Sequence, residues 1–348
     1  MIYFLYSFFL LLYNTLPLTS YIQVFITSKF LFVFYYFGLK SKIYKYQFFK
    51  IFIRIFSILF ILSIVINVLY FIVPNLYIRS NQDVRGINGI TIGGIFFSRT
   101  VYSGYLVFCI ILLLNIKQHV NKLFLFIYKY KLQITCLCLL FLLLTFTRKD
   151  ILFGILIIVF FLSFKIKSKF RPFYQFGCIA LIFIVPFLTD RLFGEINQQT
   201  FTEDQVRTQI FFSGLKVFNY YAPFGSGPGT FGSIMSIQYQ NVYRELDIAE
   251  RIYLGFDQAY GPIFDVFIIS LLAEYGLGII IIIAFFLTIQ KAKFNYLSVT
   301  PFINVRMTKN LLLFYIAFAS ISVPILINGV GLFIIAILAI LTNSKIRL

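Results

Sequence analysis

Histidine is nearly missing from this chain: His119 is the only one in 348 residues. A His-based metal site is thereby excluded, because zinc and related metals draw most of their nitrogen ligands from imidazole. Cysteine is sparse too. Cys109, Cys136, Cys138 and Cys178 all fall in apolar stretches, and Cys136 and Cys138, one residue apart, match no common zinc spacing. Thiols in such surroundings pack as small apolar side chains. The sequence shows no internal repeat, no stretch polar enough for a soluble domain, and no Gly-Lys-Ser/Thr to close a P-loop. Met1 opens directly into apolar residues, without a basic region or a small-residue cleavage site, so the first segment reads as a retained helix rather than a signal peptide.

Acid is scarce and unevenly placed. Asp and Glu total 12 against 30 Lys and Arg. Segments 40–54, 117–131, 165–171, 291–309 and 345–347 are basic and hold no Asp or Glu. All the acidic residues, from Asp83 to Glu274, fall in the intervening segments. Cytoplasmic loops are enriched in Lys and Arg, so this sorting predicts that the basic segments face the cytoplasm. Acid/base chemistry then belongs on the outer side.

What the chain has in abundance is apolar length. It is 60% hydrophobic with a mean hydropathy of +0.92. Its apolar runs are long enough to cross roughly 30 Å of hydrocarbon as helices, and they lack the ten-residue alternation of a membrane barrel. The fold class is therefore an all-α polytopic membrane protein with about ten transmembrane helices. The expected spans are 2–18, 21–39, 51–73, 100–116, 132–146, 151–164, 173–188, 266–289, 311–326 and 329–341. An even count places both termini in the cytoplasm, and the cytoplasmic membrane is the expected location. The net charge of +18 is then an orientation signal that also attracts anionic lipid headgroups. No nucleic-acid partner is implied.

Two external loops stand out within this single integral membrane domain of residues 1–348. The first covers 74–99 and the second 189–265. A structureless loop as long as the second is improbable. Val206, Ile210, Leu215 and Phe218 recur at near-helical spacing and predict an amphipathic helix there, ended by Pro223 and the run from Gly225 to Gly229.

Three pieces carry candidate chemistry. The turn Thr145-Phe146-Thr147-Arg148-Lys149-Asp150 offers a guanidinium at the membrane surface, whose planar fork suits phosphate oxygens; it also reads as an interfacial charge cluster. The second piece is the helix with Arg207 and Lys216 followed by Gly225 and Gly227, where backbone N–H groups can approach a ligand or simply form a turn. The third runs from Asp265 to Gly278. Asp265 caps a helix or acts as a base. Glu274 lies roughly 13 Å into the span at 1.5 Å per residue, where a carboxylate needs a partner or a wet cavity.

In this order and spacing the pieces resemble the bacterial O-antigen polymerase and O-antigen ligase superfamily over about residues 139–283. The matching residues are Thr145, Thr147 and Arg148; Arg207, Pro223, Gly225, Gly227 and Phe231; then Asp265, Glu274, Gly276 and Gly278. The ligase branch has His where this chain has Asp265, so the resemblance points to the polymerase branch. It implies a fold similar to the GT-C class of membrane glycosyltransferases, with no metal and no cofactor. The implied activity joins undecaprenyl-pyrophosphate-linked oligosaccharide units to build O-antigen, capsule or exopolysaccharide. Implied partners are membrane lipid, a chain-length-regulating membrane protein and a flippase. A ligase transferring finished glycan, or a lipid-linked sugar transporter, are the competing expectations.

On that reading Asp265 is the first choice of general base and Glu274 the second, and Arg148 and Arg207 hold the pyrophosphate. Arg99, Arg191, Lys216 and Arg244 add positive charge, and Gly225 and Gly227 approach the ligand. Tyr221, with Tyr220, Tyr239, Tyr243, Tyr253 and Tyr260, either stacks on sugar rings or anchors the loop at the headgroups.

Overall fold

A computed structural model describes residues 1–72, 93–96, 98–117, 122–145, 147–163, 198–237, 240–248, 267–291, 303–320, 325–326 and 328–342. Among these residues the architecture is all-α, with one isolated bridge between Ile116 and Ile303. The helices are α1 (Ile2–Tyr13), α2 (Ile22–Ile72), α3 (Arg99–Asn115), α4 (Lys122–Lys129), α5 (Lys131–Leu144) and α6 (Arg148–Ser163). They continue with α7 (Gln198–Tyr220), α8 (Asn241–Glu245), α9 (Phe267–Tyr275), α10 (Ile279–Lys291), α11 (Val305–Ser320) and α12 (Gly329–Leu341). Three stretches of described helix are long and apolar enough to cross a membrane: Leu18–Gly38, Lys50–Leu69 and Phe267–Lys291. The chain is an all-α polytopic membrane protein.

The bundle forms around α3. Every residue from Tyr102 to Asn115 is buried, as expected of a helix that is apolar on all sides. It packs on α5, α6 and α11, while α12, buried almost throughout from Val330 to Leu341, packs on α2. On the outside, Ile58, Ile61, Leu62 and Val65 of α2 and Ile280, Ile283 and Leu287 of α10 are exposed. Apolar surface in continuous stripes of this kind suits lipid tails rather than water.

The expected hairpin of spans 132–146 and 151–164 is present as α5 and α6. The break comes at the threonines. Thr145 Oγ1 bonds Leu142 O (2.7 Å) and shares a hydrogen bond with Thr147 Oγ1 (2.8 Å). Such side-chain bonds compete with the helical ladder. Asp150 then turns inward, only 1% exposed. Its Oδ2 accepts from Ser103 Oγ of α3, and its Oδ1 accepts from Tyr315 of α11 (3.0 Å).

One expectation is corrected. Segments 21–39 and 51–73 were expected as separate spans joined by a basic loop. The structure has a single helix of 51 residues, Ile22–Ile72, about 76 Å long at 1.5 Å per residue. No proline lies between the two apolar stretches, and Lys, Tyr, Phe and Gln are adequate helix formers. A lone glycine, Gly38, costs only about 1 kcal/mol, so composition changes from apolar to basic without stopping the helix.

Of the expected first external loop, 74–99, only its end is described. Gly94, at φ +54°, donates its N–H to Asn67 Oδ1 of α2 (3.1 Å), and Asn67 Nδ2 donates to Tyr102 of α3 (2.8 Å). The expected span 173–188 lies outside the described residues.

Candidate functional site

The site is built where the glycine-rich loop meets an interrupted helix. Helix α7 supplies the platform. Ile210, Gly214 and Val217, at spacings of four and three, form its buried face, packed with Phe231, Tyr243, Ile269 and Ala273. Gly214 permits the close approach: a Cβ there would lie 2.7 Å from Ile269 Cγ1. A helix is present where one was expected, from Gln198 to Tyr220, but its buried face differs: of the expected apolar residues Ile210 is buried while Leu215 and Phe218 are half-buried.

After Tyr220 the chain turns through a cis Ala222–Pro223 peptide into four glycines with left-handed φ: Gly225 (91°), Gly227 (97°), Gly229 (79°) and Gly232 (60°). Only glycine adopts this region without steric cost. The loop lies against the helical stretch Phe267–Lys291, which is itself broken. α9 ends at Tyr275, Gly276 takes φ +53°, and a 3-10 turn over Gly276–Gly278 leads into α10.

Irregular backbone at membrane depth is tolerated only where its polar groups find partners. Here the loop supplies them. Ser226 N–H donates to Ala273 O (2.9 Å), Gly227 N–H to Glu274 O (2.8 Å), and Leu277 N–H returns to Pro223 O (2.9 Å). The two backbones touch: a Cβ on Gly225 would lie 2.5 Å from Gly276 N.

Glu274 locks the assembly. It is 1% exposed. Its Oε1 accepts from Thr230 N (3.0 Å), Phe231 N (3.3 Å) and Ser233 Oγ (2.6 Å). Successive N–H groups turned to one point form an anion-binding concavity. The glycine-rich segment makes such a concavity, and its occupant is the chain's own Glu274. Gly232 N–H donates to Tyr243 OH (2.7 Å), and burial pushes the Tyr243 hydroxyl up to about 12, so it stays protonated. Its ring stacks on Phe231 at 5.3 Å.

Helix α1 braces the same junction. Tyr6 OH shares its one proton between Phe224 O (3.0 Å) and Tyr275 O (2.9 Å), bridging loop and broken helix. Asn14 Nδ2 donates to Gly225 O (3.1 Å). Phe9 and Tyr13 pack on Phe224 at 5.5 and 5.4 Å. Tyr6→Phe removes the donor that the two carbonyls share. It should cost roughly 1–3 kcal/mol, read as a lower melting temperature in detergent. Tyr13→Phe, at a 60% exposed position, should melt like the parent; equal melting for both variants would remove Tyr6 from the brace.

The remaining expected site residues fall as follows. The N–H groups of Gly225 and Gly227 are committed to Tyr221 O (2.9 Å) and Glu274 O. Tyr221 OH donates to Glu245 Oε2 (2.6 Å). Lys216 Nζ donates to Leu246 O, tying α7 to the end of α8. Arg244 is exposed and bonds Gln240 Oε1 (3.2 Å). Arg99 is the first residue of α3 and half-buried. Arg148 opens α6 and Arg207 lies within α7, their backbones alone being described. Asp265 and Arg191 lie outside the described residues. The structure thus joins Gly225, Gly227 and Glu274 in one unit and sets Tyr221 beside it. Asp150, Glu245, Ser233, Tyr6 and Asn14 were not singled out from sequence. Only Asp150 carried a signal, an acid in the first turn of an apolar helix.

Residues 134–261 match the family model described as O-antigen ligase. That region, just over a third of the chain, is similar to the O-antigen ligase family. No curated protein and no solved structure matches the chain. The O-antigen ligase match spans most of α5, all of α6 and α7, the glycine-rich loop and α8, and ends before α9. Glu274 and Gly276 therefore lie beyond it. They connect to it by direct hydrogen bonding of the loop to the broken helix.

Proposed function

We propose that this protein is a glycan polymerase of the cytoplasmic membrane. It joins undecaprenyl-pyrophosphate-linked oligosaccharide repeat units on the outer face. The observation that carries this reading is the union of the Pro223–Phe231 segment with the Glu274–Gly278 break, in a membrane chain whose adjoining region matches the O-antigen ligase family.

The reaction passes the reducing-end sugar of the growing glycan to a hydroxyl of a new lipid-linked unit. The acceptor oxygen bonds the anomeric carbon, the bond from that carbon to phosphate breaks, and undecaprenyl pyrophosphate leaves. A base takes the acceptor proton, and Asp265 is assigned that role. The departing pyrophosphate needs positive charge where its own charge develops. Arg148 and Arg207 hold it, with Arg99 and Arg191 adding to the field, so the transfer proceeds without metal. Glu274, with three donors on one oxygen, fixes the loop; Gly225, Gly227 and Lys216 fix its flanks. All are positioning residues.

Polymerase is favoured over ligase because Asp265 stands where the ligase branch has His, and the chain's one His119 lies in a basic, cytoplasm-facing segment. Arg207→Ala should abolish polymer and leave single repeat units on the lipid carrier, resolved as loss of the ladder on a glycan gel. Long polymer accumulating on the carrier would instead identify a ligase. An unchanged ladder would remove Arg207 from the site.

A further inference from the structure

We propose that Tyr220, Tyr221 and Glu245 form a sugar-binding subsite beside the glycine-rich loop, selective for neutral or amino sugars over uronic acids. The inference rests on the glycan-polymerase reading above for the presence of a sugar substrate, and adds where part of it is held and by what chemistry.

Tyr220 closes α7 and Tyr221 follows it. Both hydroxyls converge on one carboxylate from α8. Tyr220 OH donates to Glu245 Oε1 (3.0 Å), Tyr221 OH donates to Oε2 (2.6 Å), and the two rings meet edge to face at 4.9 Å. The arrangement faces outward: Tyr220 is 59% exposed and Glu245 is exposed. Polar contacts in water contribute little to folding, so the cluster is poorly explained as a stability device.

Its chemistry suits a sugar. Each carboxylate oxygen has room for a second donor beyond its phenol, so ring hydroxyls can bond to both. The phenol rings offer apolar faces with a polar edge, matching the C–H face and hydroxyl rim of a pyranose. The carboxylate is pre-oriented by two donors, so little freedom is lost when a sugar binds. Glu245 also raises the Tyr220 hydroxyl above its ordinary value by accepting its hydrogen bond. Tyr221 is raised by burial first and then by Glu245. Both phenols therefore keep their protons and their grip on the carboxylate. A uronic acid would bring a second anion against Glu245, whereas an amino sugar brings a complementary charge.

The location fits a substrate that is lipid at one end and glycan at the other. Tyr221 O accepts from Gly225 N–H, so the subsite is anchored to the loop. Three residues on, Phe224 packs on Phe9 and Tyr13 of α1, an aromatic pair on an apolar helix. Aromatic side chains collect at the boundary between headgroups and tails, which places sugar recognition next to the lipid surface.

The test uses the full chain in detergent. The probe is the oligosaccharide released by mild acid from the cell's own lipid-linked unit, with binding read by saturation-transfer NMR. Transfer is measured in parallel with the intact lipid-linked unit. Glu245→Gln keeps the shape but weakens a charge-assisted acceptor, and should lower affinity roughly tenfold. It should raise KM by a similar factor with kcat nearly unchanged. Tyr220→Ala, at an exposed position, should do the same, while Tyr220→Phe retains part of the binding through its ring. A methyl glucuronide should compete more weakly than methyl glucoside, and that preference should narrow in Glu245→Gln. Unchanged affinity in both Glu245→Gln and Tyr220→Ala, or a fall in kcat at constant KM, would overturn the subsite. If the parent protein binds the oligosaccharide and loses it on these substitutions yet transfers nothing, the subsite stands and the polymerase reading fails.

Discussion

Gly276→Ala is expected to remove folded protein from the membrane. At φ +53° an alanine pays about 1–2 kcal/mol for the left-handed conformation alone. The larger cost is steric. The new Cβ would collide with Pro223 O, lie 2.5 Å from Phe224 C and 2.7 Å from Gly225 N. All three are backbone atoms, so no side chain can swing aside. The loop must lift off the broken helix, and Ser226–Ala273, Gly227–Glu274 and Leu277–Pro223 part together. Each buried group left unpaired costs roughly 1–3 kcal/mol. The sum rivals the whole stability of an ordinary domain, about 5–15 kcal/mol. The control is Gly329→Ala at the first residue of α12, where a Cβ meets nothing within 4 Å. That change should be neutral or slightly stabilising, because alanine is the better helix former. Fluorescence-detected gel filtration of the two variants from membranes separates them. Gly276→Ala running as a monodisperse peak at parental yield would show that the backbone contact is not needed.

Much of the architecture was legible because it is written in composition. Apolar length and the sorting of acid from base announce a polytopic membrane chain. The hairpin of α5 and α6 could be read from the short polar turn between two apolar runs; periodicity predicts a helix at α7 but not its buried face, which is Ile210, Gly214 and Val217. The two motifs that meet were each visible: glycines followed by Phe231, and an acid at depth followed by Gly276. Their contact was not visible. Glu274 and Thr230 are 44 residues apart, and Asn14 and Gly225 are 211 apart. Periodicity reports on a residue's own helix and says nothing of such partners. The sequence leaves the glycines either approaching a ligand or forming a turn; in the structure Gly225 N–H donates to Tyr221 O and Gly227 N–H to Glu274 O, a pairing that spacing alone does not show. The same limit explains α2. Charge marked 40–50 as a loop, but helices end at prolines, caps and left-handed glycines, and Gly38 alone did not suffice.

Glu274 distinguishes positioning from chemistry through two substitutions with opposite expected results. Glu274→Ala leaves Thr230 N, Phe231 N and Ser233 Oγ without their acceptor. Three buried donors unpaired at about 1–3 kcal/mol each should detach the loop and abolish glycan transfer with a large drop in melting temperature. Glu274→Gln retains a carbonyl-type oxygen of the same reach, so all three donors keep a partner, at a cost of roughly 1 kcal/mol for replacing a charge-assisted set by a neutral one. If Glu274 acts by holding the loop, the glutamine variant keeps transfer within about tenfold, with the parental pH profile, since no titrating group of the reaction is lost. If Glu274 instead takes the acceptor proton, the glutamine variant melts like the parent and transfers nothing. Asp265→Asn supplies the complementary result. If Asp265 is the base, as proposed, this variant should stop transfer at full thermal stability, because the loop, the broken helix and the Glu274 lock remain in place.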